Sequence, residues 1–169
     1  MLFAVLCTGP SMSQAVADSV RHLRVIAVNG TYELAPWAEA MASNDTSWWN
    51  KHPQAMQFAG RKFSGNRIKG VERIEHFESC ICSGVLGLEV AKLMGATKII
   101  LLGADFHGSH YFGDYANGLA NTTDTRRRMH AAQFKTWKRG NPMVSVFNCT
   151  EGSRLECFPC MSLTEALRD

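Results

Sequence analysis

The chain has 169 residues, of which 46% are hydrophobic and 20% charged, and its formal net charge is +3. This composition is that of an ordinary globular protein and excludes a disordered or collagen-like chain. No apolar run reaches the ~20 residues that a membrane helix requires, and the small positive charge permits nucleic acid as a partner without demanding it.

The first apolar segment, Leu2–Cys7, lacks the basic residues that open a signal peptide and ends at Thr8-Gly9-Pro10. We therefore interpret it as a buried first strand and expect no export. Six cysteines in a chain of this length are too few for a disulfide scaffold. They favour a reduced, cytoplasmic protein.

Strands and helices are predicted to alternate along the chain, from apolar runs and from apolar residues at helical spacing. The predicted strands are Leu2–Cys7, Val25–Val28, Ala38–Ser43, Val71–Phe77, Lys98–Gly103 and Val144–Phe147, and the predicted helices are Met12–Leu23, Ser83–Met94, Thr125–Arg139 and Leu163–Leu167. Residues 46–70 show no regular pattern, and residues 105–124 are predicted as a long polar loop. The alternation favours an open, mostly parallel α/β sheet.

The polar residues at the predicted strand ends form the candidate ligand site, because ligands of such sheets bind beyond the carboxyl ends of the strands. These ends carry hydroxyl, amide, carboxylate and imidazole groups. In chain order they are Thr8, Gly9, Ser11, Asn29, Asn44, Asp45, Asp105, His107 and Asn148. Their concentration at the strand ends is a stronger indication of a site than any single motif.

The first loop predicts either a phosphate site or a helix cap. Gly9 would let the backbone approach a ligand closely, and Ser11 would lie at a helix N-terminus, which favours an anion. A serine in that position also commonly caps the helix itself. The spacing matches neither a P-loop nor a G-x-G-x-x-G fingerprint.

Asp105 and two histidines follow the clearest predicted strand. A carboxylate at a strand end can hold a ribose hydroxyl or a divalent cation, although aspartate also commonly caps turns. His107 and His110 are candidates for a general base, and their H-x-x-H spacing also suits a metal. Solvated loop histidines are common, so the spacing alone leaves these alternatives open.

Two further clusters lie near the predicted site. Arg126–Arg128 begin a predicted helix, where they would either contact phosphates or form a solvated face. Trp48 and Trp49, with Lys51 and His52, would either stack a base or an acceptor, or pack as an aromatic lid on the sheet.

The cysteines include two close pairs, Cys80/Cys82 and Cys157/Cys160, that together suit a four-thiolate zinc site. Only one residue separates the first pair, and Cys82 adjoins a helix predicted to be buried. We therefore expect buried thiols and no bound metal.

Several segments, spread over nearly the whole chain, carry a family resemblance. They are Cys7-Thr8-Gly9-Pro10-Ser11, Ile26-Ala27-Val28-Asn29, Ala42-Ser43-Asn44-Asp45, Ser83-Gly84, Gly95-Ala96, Leu102-Gly103-Ala104-Asp105-Phe106, the run from Phe147 to Ser153, and Phe158-Pro159. Together they resemble a Rossmann-like family of phage and bacterial proteins. That family includes the archaeal 6-hydroxymethylpterin pyrophosphokinase and is related to the α-2,3-sialyltransferases that use CMP-sialic acid. The resemblance implies one Rossmann-like α/β domain over residues 1–169, with helices on both faces of the sheet.

The resemblance also implies a nucleotide or nucleotide-sugar ligand, with Mg²⁺ as a further cofactor in the pyrophosphokinase. The resemblance carries the nucleotide-binding role onto Gly9, Ser11 and Asn29. We add Thr8, Asn44, Asp45, Ser83 and Gly84 to the predicted nucleotide-binding residues. Asp105 would bind ribose or magnesium, and His107 or His110 would deprotonate an acceptor hydroxyl. No local motif decides between the two histidines.

Two functions of different classes follow from these residues. The first is a nucleotide-dependent transferase of the phage type, which moves a glycosyl or pyrophosphoryl group in the host cytoplasm. The second is a protein that binds a nucleotide without turnover, such as a phage decoy for a host signal nucleotide, and the lack of room for an acceptor lid favours it. Both predict a small-molecule nucleotide ligand and no membrane partner, and both leave a homo-oligomer open.

Overall fold

The computed structural model describes residues 1–168 and arranges them around one seven-stranded sheet. The strands are β1 (Leu2–Leu6), β2 (Arg24–Val28), β3 (Ala40–Ala42), β4 (Arg61–Ser64), β5 (Glu72–Arg73), β6 (Lys98–Leu102) and β7 (Ser145–Asn148). The helices are α1 (Gln14–Ser19), α2 (Thr46–Lys51), α3 (Ser83–Leu93), α4 (Asp124–Gly140) and α5 (Leu163–Arg168), with short 3₁₀ helices at Asn29–Glu33 and Pro53–Gln57. In this range, no helix combines the length and the apolar character needed to cross a membrane.

The strand order, β5-β4-β3-β2-β1-β6-β7, confirms the predicted α/β sheet. Every pair of neighbouring strands is parallel. The chain adds strands in one direction from β1 to β5 and then places β6 on the other side of β1. In sheets of this Rossmann-like kind, the loops after the two strands at such a reversal open into a crevice where ligands bind.

Alternate residues of β1 contribute to two hydrophobic layers, one on each face of the sheet. Phe3 and Val5 pack with α3 and α4 on one face, and Ala4 and Leu6 pack with α1, α2 and α5 on the other. The residues of α3 from Ser83 to Ala91 are all buried. The predicted helices on both faces, and the buried helix among them, are therefore confirmed.

Most predicted elements agree with the structure to within one residue at each end. These are β1, β2, α3, β6, α4, β7 and α5. The first helix is shorter than the predicted Met12–Leu23, because Ser13 caps its start and the chain passes into tight turns after Ser19. Because the residues in these turns keep a helix-like spacing of apolar side chains, the sequence pattern predicted a longer helix than the structure has.

Residues 46–70 contain regular structure that the sequence pattern did not predict. Helix α2 buries Trp48 and Trp49, and β4 pairs with β3. The strand predicted at Val71–Phe77 is reduced to the two residues of β5. His76 adopts a left-handed backbone conformation (φ 66°), which is incompatible with an extended strand through Phe77.

The buried face of α3 is expected to carry much of the stability of the sheet. Leu88 is 0% exposed and Leu93, on the same helix, is 59% exposed. Leu88→Ala should lower the free energy of unfolding by about 2–5 kcal/mol, whereas Leu93→Ala should change it by less than about 0.5 kcal/mol. Urea unfolding of both variants measures the difference, and equal effects would contradict the packing described for α3.

Candidate functional site

A cavity of about 760 Å³ opens at the crevice between β1 and β6, a size typical of small-molecule sites. The loops after β1, β2, β3 and β6, the N-terminus of α3 and one face of α4 form its wall. Ten of the predicted site residues line it: Thr8, Gly9, Asn29, Asn44, Asp45, Ser83, Gly84, Asp105, His107 and His110. Ser11 does not line it.

The loops after β1 and β6 are held together by Asp105, whose side chain is buried. Its carboxylate accepts hydrogen bonds from the backbone N–H of Ser11 at 3.2 Å and from the Ser11 hydroxyl at 2.9 Å. The N–H of Gly9 donates to the carbonyl of Gly103 at 2.8 Å. A Cβ at position 9 would overlap the Asp105 carboxylate, so this contact within the protein itself requires glycine.

The expectation that Ser11 begins the first helix is wrong. Ser13 is the N-cap of α1, and its hydroxyl accepts a hydrogen bond from Val16 N–H at 3.3 Å. The sequence predicted that Ser11 would contact an anionic ligand, and the anion that it contacts is the carboxylate of Asp105 in the protein itself. A phosphate at the same place would be repelled by that carboxylate, so the geometry gives no support to a phosphate site at Ser11.

Asn44 organises the floor of the cavity with hydrogen bonds inside the protein. Its N–H donates to Ser83 Oγ at 2.9 Å, and its Nδ2 donates to the carbonyls of Phe77, at 2.7 Å, and Cys80. Its Oδ1 accepts from Gly65 N–H. Because both ends of the carboxamide are used in this way, Asn44 positions the segment before α3 and has little capacity left for a ligand.

Asp45 acts as the cap of α2, since its carboxylate accepts hydrogen bonds from Ser47 N–H at 2.8 Å and Trp48 N–H at 3.3 Å. This is the turn-capping role that aspartate commonly has. The side chain is exposed at the rim of the cavity.

The N-terminus of α3 meets the cavity with no side-chain cap from the described residues. Gly84 packs under Phe134, where a Cβ would lie 2.9 Å from the ring atom Cζ. Burial raises the pKa of the Cys82 thiol to about 12, and the N–H groups of Val85 and Gly84 offset part of that rise. The Cys82 side chain at the N-terminus of α3 is therefore a neutral thiol, which accepts hydrogen bonds only weakly.

Asn29 differs from the other amides of the site because its carboxamide oxygen is buried and has no hydrogen-bond partner among residues 1–168. Its backbone is left-handed (φ 49°), a conformation that asparagine tolerates better than most residues. The residue lines the cavity at the end of β2. An unsatisfied buried oxygen costs stability, so Asn29 is the side chain most suited to accept a hydrogen bond from a ligand.

His110 belongs to an aromatic wall above the crevice. Its Nδ1 lies 3.1 Å from Thr8 Oγ1, and its ring stacks on Phe112 with 4.9 Å between centroids. Burial lowers the pKa of His110, and a hydrogen bond with the backbone of Thr8 offsets part of that shift. The imidazole is therefore neutral near pH 7, and Nε2 is available when Nδ1–H donates to Thr8.

Tyr115 and Trp48 continue this wall, although the sequence analysis did not identify Tyr115. Burial raises the pKa of Tyr115 to about 12, with the Trp48 side chain offsetting part of the rise. The rings of Tyr115 and His110 are 4.9 Å apart at their centroids. His107 also lines the cavity, and its ring makes no hydrogen bond to the described part of the chain.

The side of the cavity opposite β1 is one face of α4, made by Arg126, Arg127, His130 and Phe134. Burial first, and then the charge of Arg126, lower the pKa of His130 to about 4. His130 Nε2 is buried and has no partner within residues 1–168. The sequence analysis missed His130, although positions 126, 130 and 134 share one face of a helix by their spacing.

The two cysteine pairs lie in different surroundings. Cys80 and Cys82 line the cavity, whereas Cys160 is exposed and lies near Cys149. Over residues 1–168, no three His, Cys, Asp or Glu side chains are grouped to hold a metal ion.

Asn148, the remaining predicted strand-end residue, lies outside the cavity lining. Its side chain donates to Ser153 Oγ at 2.8 Å and accepts from Thr150 N–H at 3.2 Å. These bonds close the turn after β7.

A scan against protein-family models matches none of them, and searches of curated proteins and of solved structures return no similar protein. The resemblance given above therefore stays a prediction, and the function must be argued from the cavity itself.

Gly9 should be required for the stability of the folded protein, whether or not a ligand is bound. Gly9→Ala places a Cβ against Asp105 and 2.6 Å from the carbonyl oxygen of Gly103, so it should lower the free energy of unfolding by about 1–3 kcal/mol. Gly140→Ala, with no atom within 4 Å of the new Cβ, should be neutral or slightly stabilising. Thermal unfolding compares the two, and a Gly9→Ala protein as stable as the parent would contradict the contact with Asp105.

His130 should make the fold sensitive to mild acid. The unfolded chain binds this proton near pH 6.5 and the folded protein only near pH 4, so the folded state loses stability as the pH falls through that window, by up to roughly 3 kcal/mol. His130→Gln should remove this part of the pH dependence. Urea midpoints between pH 7 and pH 4 test it, with His22→Gln, on an exposed histidine outside the cavity, as control. Superimposable parent and His130→Gln profiles would show that the imidazole is not desolvated.

Proposed function

We propose that the cavity binds a nucleotide or nucleotide-sugar and that the protein is a nucleotide-dependent transferase. The observation that carries the proposal is the buried oxygen of Asn29, which lacks a partner among residues 1–168 although it lines a polar cavity at the crevice between β1 and β6. A ribose hydroxyl or the exocyclic amine of a base would satisfy it. Tyr115, which is only partly buried, supplies aromatic surface for the base in the same cavity.

The phosphates of the nucleotide are assigned to the N-terminus of α3. The N–H groups of Ser83 and Gly84 and the positive end of the helix dipole favour an anion there. Arg126 and Arg127 stand on the α4 side of the cavity. Arg127 is paired with Asp124, so Arg126 supplies the positive charge that has no ion-pair partner among residues 1–168. This assignment replaces Ser11, which is bound to Asp105.

His110 is assigned as the general base. In the proposed step its Nε2 takes the proton of an acceptor hydroxyl. The acceptor oxygen then bonds to the transferred glycosyl or pyrophosphoryl group, and the bond from that group to its phosphate leaving group breaks. Asp105 is assigned a positioning role, because it fixes the loop that carries Thr8, the hydrogen-bond partner of His110.

Asp105 and Asp45 are assigned no magnesium ion in this proposal. Asp105 accepts two hydrogen bonds from Ser11, and Asp45 caps α2, so both carboxylates already make contacts inside the protein. The proposed step is therefore written without a metal ion bound by these two side chains.

A second function, binding without turnover, is favoured by one observation. The ring of His110, the proposed base, is stacked on Phe112 and lies within hydrogen-bond distance of Thr8. A ring held in this way suits a purely structural role as well. A phage protein that sequesters a nucleotide in the host cytoplasm would use the same Asn29 contact and need no base.

Two variants separate the transferase from the binder. His110→Ala should lower turnover by ~10²–10⁴-fold and leave nucleotide affinity nearly unchanged, because a base acts mainly in the transition state. Asn29→Gly, which suits the left-handed backbone, should weaken nucleotide binding by roughly tenfold. Calorimetry measures affinity, and mass spectrometry of reactions with nucleoside triphosphates and nucleotide-sugars, with and without divalent cation, measures turnover.

His22→Ala is the control, since His22 is exposed and does not line the cavity. Tight, stoichiometric nucleotide binding without product from any donor would establish the second function in place of the first. Failure of the parent protein to bind any nucleotide would overturn both.

A further inference from the structure

A second cleft of about 270 Å³ adjoins the cavity. It is lined by Phe106, Asp124, Arg127, Arg128, Ala131 and Arg154, and we call it the arginine cleft. Phe106 and Arg127 line both spaces. The arginine cleft and the proposed nucleotide cavity therefore share one wall.

The arginine cleft contains more positive than negative charge. Arg127 is paired with Asp124. Arg128 donates to the hydroxyl of Thr125 at 3.1 Å. Within residues 1–168, neither Arg128 nor Arg154 forms an ion pair with a carboxylate. Two guanidinium groups are thus left available to an anion.

The backbone holds both sides of the arginine cleft in place. The N–H of Arg154 donates to the carbonyl of Asp105 at 2.9 Å, which fixes Arg154 beside the end of β6. Arg128 is on α4, whose residue Phe134 is buried in the core. The two arginines therefore come from separate, anchored segments.

Arg128 is not needed to begin α4. The acidic residue of the first turn is Asp124, and Arg128 follows the N-cap Thr123 by five residues. The helix dipole acts mainly within the first turn, so Arg128 neither caps α4 nor strongly opposes its dipole.

We propose that the arginine cleft binds a phosphoryl group beside the nucleotide cavity. A guanidinium group donates two parallel hydrogen bonds to phosphate oxygens, and it does so more specifically than a lysine. The phosphoryl group is either the terminal phosphate of the nucleotide in the cavity or a phosphate on the acceptor. The link to the nucleotide rests on the proposed function, whereas anion binding by the arginine cleft does not.

Inorganic pyrophosphate tests the arginine cleft without any nucleotide. Calorimetry at low ionic strength should show binding to the parent, and Arg128→Gln and Arg154→Gln should each weaken it by roughly tenfold. Arg139→Gln is the matched control, because Arg139 donates to Thr136, three residues earlier, as Arg128 does to Thr125. Arg128→Gln should also leave thermal stability unchanged or raise it, which a structural role would not do.

Nucleotides then distinguish the two sources of the phosphoryl group. If it belongs to the nucleotide, the affinity advantage of a nucleoside triphosphate over the monophosphate should be lost in Arg154→Gln. If it belongs to the acceptor, that advantage should persist, and pyrophosphate should bind to protein already saturated with nucleotide. Asn29→Gly, which weakens the nucleotide contact, should leave pyrophosphate binding unchanged.

Three results would overturn the proposal. The first is a parent protein that does not bind pyrophosphate. The second is equal pyrophosphate affinity in the parent, Arg128→Gln and Arg154→Gln. The third is a single-stranded oligonucleotide that binds more tightly than pyrophosphate and is weakened by the same two variants, which would identify a nucleic-acid surface instead.

Discussion

The hydrogen bonds from Ser11 to Asp105 fix the two loops, after β1 and β6, between which the cavity opens. They join residues 94 positions apart in the chain and hold the loops after β1 and β6 at a fixed separation. Gly9 permits this approach because any side chain would overlap the carboxylate. Thr8, and with it the partner of His110, is placed by the same contact.

The polar residues of the crevice divide into two groups by how their hydrogen-bonding capacity is used. Asn44, Asp45 and Asp105 direct theirs to the protein itself. Asn29, Trp48 and His130 line the cavity, and each has a buried polar atom without a hydrogen-bond partner among residues 1–168. Buried polar atoms are almost always paired, so the second group, and not the first, indicates where a ligand would be recognised.

The sequence predicted the central part of the fold because β1 and β6 are almost entirely apolar and α3 is apolar over most of its length, so these elements are recognisable without their partners. It did not predict β4, Arg61–Ser64, because three of its four residues are polar and the segment is extended by pairing with β3.

The candidate site likewise could be predicted only in part, because the contacts of its residues depend on segments that are distant in the chain. Most of the predicted strand-end residues line the cavity, whereas Ser11 and Asn148 do not. Ser11 looked available until folding brought Asp105 to it. His130 was overlooked because it lies in the middle of a helix that the polar-edge argument did not cover.

The pairing of β1 with β6 also has a kinetic consequence. Leu2 aligns with Lys98, so β1 has only β2 beside it until the chain is available through β6. Closing so long a loop is slow because its entropy must be overcome before the contacts form. During that time the apolar edge of β1 is open to pairing with other chains. Since the cavity is built from both loops, it exists only after this closure, and a bound ligand would select chains that have completed it.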